Sequence, residues 1–186
     1  MSSPETPVVA ESVSNAGPPP LPTMTRVVAV LVIAVAGLDA LAVLSRLRMP
    51  SQLPAPILGM MVSPAAAIAF TLSVCALNLI LAILILRRYP WALDVEIAMQ
   101  VFSIVNHSLF LLSPSRGAYV AAILAQMREQ MSANGGTGID PRVFATMMSI
   151  MLSIMVLVAI AFNIALIVLL AVDRRRYRRV CLSGQA

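Results

Sequence analysis

The chain has 186 residues, of which 60% are hydrophobic and 11% charged, with a net charge of +5. Soluble domains carry about 25% charged residues, so this composition, with a mean hydropathy of +0.92, excludes an ordinary water-soluble enzyme, a disordered chain and a nucleic-acid binder. It predicts an all-α integral membrane protein: at about 20 apolar residues per crossing, the length allows a four-helix bundle in one membrane domain, with a tail and one sizeable loop.

Residues 1–23 are rich in Pro, Ser and small side chains and cannot bury a core, so a disordered tail is expected there. The first span reads from Thr25 to Ser45, flanked by Arg26 and by Arg46 and Arg48. A cleaved signal is the rival reading, disfavoured by the long start bearing Glu5 and Glu11. Residues 49–63 hold Pro50, Pro54 and Pro56 and read as a loop, with an apolar portion at Ile57–Val62 that could dip into the membrane. The second span, 64–86, opens on Pro64, where the missing N–H costs nothing. Arg87-Arg88 closes it and Tyr89-Pro90-Trp91 opens the third, so spans two and three form a tight antiparallel hairpin with aromatic residues at headgroup level.

The third span, 91–112, stops at Ser113-Pro114. Within the following loop Tyr119, Val120, Ile123, Leu124, Met127 and Met131 recur at helical spacing, predicting a short amphipathic helix over 117–131 on the membrane surface. Asn134–Gly138 breaks it, and Asp140-Pro141 starts the fourth span, which reads to Val172 and ends at the basic tail, 174–186. With four spans the termini share a face with the Arg87-Arg88 turn. That face holds Arg26, Arg87, Arg88, Arg174, Arg175, Arg176, Arg178 and Arg179, against five Arg opposite, so both termini are expected in the cytoplasm of a cell-membrane protein (the inner membrane, in a bacterium). The RRRYRR run acts first as a topology signal and secondarily as a headgroup-binding surface.

Charged and polar groups inside spans are the candidates for function. On the third span Glu96, Gln100, Ser103 and His107 lie within about 60° of one another; Asp94 points the other way and reads as an interfacial residue near Arg87 and Arg88. The stripe is either a proton or ion path or a set of hydrogen bonds fixing the bundle. By depth, Asp39 on the first span is expected to meet His107, and Asn78, Gln100 and Asn163 to form a hydrogen-bonded layer between spans two, three and four. On the fourth span Met147, Met148, Met151 and Met155 oppose an arc holding Ser149, Ser153 and Asn163; the stripe has the sulfur chemistry of a Cu(I) site, but Met is equally a packing residue.

Cys75 and Cys181 form no CxxC pair, and a single His supports neither a bis-histidine haem nor a catalytic triad. No HExxH or phosphate-loop sequence is present. No metal or cofactor is therefore expected. The chain reads as a non-catalytic membrane subunit or interaction protein, with the lipid bilayer, a second copy or a membrane partner as its associates. The alternatives are a small oligomeric transporter or channel and, behind it, an enzyme using His107 with a carboxylate.

Overall fold

The computed structural model describes residues 20–47, 54–133 and 141–183. The expectations for the tail at 1–19 and for the break at 134–138 lie outside these residues. The chain is an all-α bundle of four long apolar helices with one shorter helix: α1 (Thr23–Leu47), α2 (Pro64–Leu86), α3 (Ala92–Leu112), α4 (Ser115–Ala133) and α5 (Pro141–Ser183). α1, α2, α3 and α5 are each long and apolar enough to cross a membrane. They run up and down around a ring in which α1 packs on α2, α2 on α3, α3 on α5, and α5 back on α1.

Local chemistry sets the helix ends. The Ser63 hydroxyl accepts the Ala66 N–H at 3.3 Å, and Pro64 follows at the first helical position, so α2 starts where the sequence places it. α2 ends in a Schellman motif: Tyr89 N–H donates to the Leu84 carbonyl and Arg88 N–H to the Ile85 carbonyl, both at 3.0 Å. Arg88 occupies the left-handed position at φ 67°, where Gly is usual. Pro90 prevents any continuation, which makes the α2–α3 turn as tight as expected.

Two segments differ from the sequence reading. Residues 55–62 form a β-hairpin, β1 (Ala55–Ile57) against β2 (Met60–Val62), rather than an irregular membrane-dipping loop. Its two-residue turn has positive φ at Leu58 (48°) and Gly59 (76°), as a type I′ turn requires. A two-stranded hairpin is marginal alone, and this one is held from outside. Asn106 Oδ1 of α3 accepts the Leu58 N–H at 2.7 Å, and the Ser115 hydroxyl of α4 donates to the Gly59 carbonyl. A Cβ at Gly59 would lie 3.3 Å from that of Ser113, a tight contact added to the strain of a side chain at positive φ, so glycine suits the turn against the end of α3.

The second difference is α5. It does not stop at Val172 but runs unbroken through the arginines to Ser183, 43 residues or about 65 Å. Arg is a good helix former, and a positive run near a helix C-terminus is favoured by the helix dipole. At roughly twice the thickness of a 30 Å hydrocarbon core, α5 must project from it. One end meets α4, where the Arg116 guanidinium donates to the Ser149 hydroxyl (2.8 Å) and carbonyl (3.2 Å). α4 covers the predicted surface helix and packs on α3 through edge-to-face Phe110 and Tyr119, with centroids 6.1 Å apart.

The dense core sits at the end of the bundle where α1 begins and α5 ends, called here the terminal face. Val28, Ala29 and Val32 of α1, Ala82 and Ile85 of α2, Leu93 of α3, and Leu166, Leu170 and Tyr177 of α5 form one buried cluster. Toward the loop face, Met147, Met151 and Met155 of α5 are exposed, with Ser149 and Ser153 on the half-buried side. A Cu(I) site draws thioethers from several elements; these three lie on the outward face of one helix.

Candidate functional site

The terminal face holds a set of polar contacts between helices. Thr25, fully buried in the first turn of α1, donates its N–H (3.1 Å) and its hydroxyl (3.2 Å) to Asp173 Oδ2 of α5. The first four N–H groups of a helix lack partners within it; here a carboxylate from another helix supplies one, at the positive end of the dipole. One turn on, the buried Tyr177 hydroxyl lies 3.0 Å from the Ile85 carbonyl and 2.9 Å from that of Tyr89, shared between the end of α2 and the turn into α3. Asp94 near the start of α3 pairs with Arg174 (2.7 Å) and Arg178. The expected neighbours of Asp94, Arg87 and Arg88, are replaced by arginines of the α5 extension. This ion pair is partly solvent-exposed and contributes on the order of 0–1 kcal/mol.

The polar stripe of α3 divides in two. Glu96 and Gln100 are buried, and the Gln100 amide donates to Glu96 Oε1 at 2.6 Å. Glu96 Oε2 is buried with no hydrogen-bond partner among the described residues. Ser103 and His107 are half-buried, and His107 Nδ1 lies 2.6 Å from the Ser103 carbonyl and 3.3 Å from its hydroxyl. A carbonyl only accepts, so Nδ1 carries the proton there and is turned onto its own helix.

The expected layer of Asn78, Gln100 and Asn163 does not assemble. The Gln100 amide is bound to Glu96, and the Asn163 amide donates to Ala159 O on its own helix at 2.7 Å. Asn78 Oδ1 is buried without a partner among the described residues. Similar depth did not bring these side chains together, because Gln100 and Asn163 each found an acceptor one turn away along its own helix, where i, i+4 neighbours meet.

Asp39 stands apart. At 100° per residue it lies within about 60° of Thr25, Val28, Val32, Ala36 and Val43, the buried stripe of α1. Those five are buried, yet Asp39 is exposed. It is within electrostatic reach of Cys75 on α2. The other candidate residues, Arg87, Arg174, Arg175, Arg176, Arg178 and Arg179, are exposed at the terminal face, and Arg88 is half-buried there.

Sequence reasoning passed over Asp173 and Tyr177. The available signal is positional: the apolar span reads to Val172, and a helix continued by one and a half turns brings both onto the inward face of α5. Among the described residues no group of three or more His, Cys, Asp or Glu side chains is placed to hold a metal ion. Comparisons with family models, characterised proteins and solved structures give no match for this chain.

Proposed function

We propose that this chain is a non-catalytic subunit of the cell membrane, crossing it four times with both termini in the cytoplasm, which associates in the bilayer with a second copy or a partner protein. The observation that carries the reading is that the buried polar groups of the terminal face are spent on contacts between helices, Thr25 with Asp173 and Tyr177 with the Ile85 and Tyr89 carbonyls. Gln100, His107 and Asn163 bond along their own helices, which supports a structural role for them as well.

In nanodiscs the wild-type particle is expected to contain more than one copy, or one copy with a co-purifying subunit. A wild-type particle that stays a single chain without a partner, measured by native mass spectrometry across protein-to-lipid ratios, contradicts the proposal.

A second reading rests on Glu96. Its buried Oε2, without a hydrogen-bond partner among the described residues, is the feature of the α3 stripe that favours a proton-conducting oligomer over a structural contact.

A further inference from the structure

Beside the polar contacts of the terminal face lies an open cavity of about 580 Å³, between the segment entering α1 and the arginine-bearing turns of α5. Its walls are of two kinds. Leu21, Met24 and Val180 make an apolar side. Arg176 and Arg179, three residues apart and so on one face of α5, supply two guanidinium groups at the rim. Asp173 also lines the cavity, but its Oδ2 already accepts two bonds from Thr25. Two positive charges thus face one engaged carboxylate, and the first turn of α1, with its N–H groups and positive dipole end, adds to the same sign.

The depth of the cavity narrows the choice of occupant. It sits where the apolar span of α1 begins, at the same end of the bundle as Tyr89 and Trp91, exposed and packed edge to face at 6.5 Å, which suit the headgroup level. Met24 and Val27 continue outward from it as an exposed apolar face along α1. A soluble phosphate would use only the arginines; an acylated phosphate uses the arginines, the apolar wall and the helix face together. We propose that this cavity binds the headgroup of an anionic phospholipid, with Arg176 and Arg179 on its phosphate and its acyl chains along the Met24–Val27 face of α1. The inference is independent of the role assigned to the subunit.

The test titrates short-chain phosphatidylglycerol into the detergent-solubilised full chain and follows thermal stability, against phosphatidylcholine and glycerol 1-phosphate. Saturable stabilisation by phosphatidylglycerol alone is expected. The double variant Arg176→Gln/Arg179→Gln, both exposed positions that the fold does not depend on, is expected to weaken binding by tenfold or more. Arg87→Gln/Arg175→Gln removes the same charge from the same face away from the cavity and is expected to change binding less than threefold. Equal losses in the two double variants would overturn the proposal in favour of diffuse surface attraction. Absence of binding by the wild type would overturn it as well, and so would equal stabilisation by glycerol 1-phosphate, which would make the ligand a soluble phosphate.

Discussion

Asp173→Ala is expected to lower the unfolding free energy by about 2–4 kcal/mol, a large effect for one residue at the very end of an apolar span. The change leaves the Thr25 N–H and hydroxyl, both fully buried, without their acceptor. An orphaned buried polar group costs about 1–3 kcal/mol, and the loss of a carboxylate at a helix N-terminus adds several tenths. Asp173→Asn retains an acceptor oxygen and is expected to lose less. Thr25→Val removes only the hydroxyl, and because both sites share one contact the two substitutions should not be additive. A double-mutant cycle read by denaturation in mixed micelles measures that coupling, expected at about 1 kcal/mol or more. Additive losses would show that the contact does not hold α1 to α5.

Leu170→Ala is expected to cost about 2 kcal/mol. Leu170 is fully buried among Ile85, Leu166 and Tyr177 in the cluster that closes the terminal face. Leu→Ala changes in the cores of soluble proteins cost about 2–5 kcal/mol, part transfer and part cavity. Between membrane helices the transfer part shrinks, since lipid tails are as apolar as leucine, while the loss of packing contacts remains; the lower end of the range is therefore the expectation. Val168→Ala, two residues away and 54% exposed, opens no cavity and is expected to change stability by less than 0.5 kcal/mol. Comparable losses from both would mean that α5 is rotated relative to its placement here.

The long apolar stretches were legible because spanning length and hydropathy depend on no partner. α2 and α3 begin and end within a residue of their expected limits, marked by Ser63-Pro64, Arg87-Arg88 and Ser113-Pro114. The hairpin at 55–62 was hidden because its turn is Leu58-Gly59, not the Asn-Gly that signals a type I′ turn; it is secured by Asn106 and Ser115, 48 and 56 residues distant. The extension of α5 was hidden because arginines after an apolar run mark a membrane boundary, which a helix is free to cross. That one boundary decides the polar chemistry of the terminal face: a helix ending at Val172 leaves Asp173, Arg174, Tyr177 and Arg178 in a tail, whereas a continuous helix delivers them to Thr25, Asp94 and the Ile85 carbonyl. Which groups the stripe of α3 bonds was not legible, since that depends on side-chain rotamers more than on depth.

The central claim is that the polar groups of the spans serve the structure, within helices and between them, rather than carry a proton or ion. Proton flux into proteoliposomes, compared between the wild type and Glu96→Gln, addresses it most directly, because Glu96 alone on the α3 stripe keeps a buried oxygen unpartnered among the described residues. The account predicts that the wild type gives no flux above protein-free vesicles and that Glu96→Gln behaves identically. A wild-type flux that Glu96→Gln reduces tenfold or more would contradict it and make the α3 stripe a conduction path.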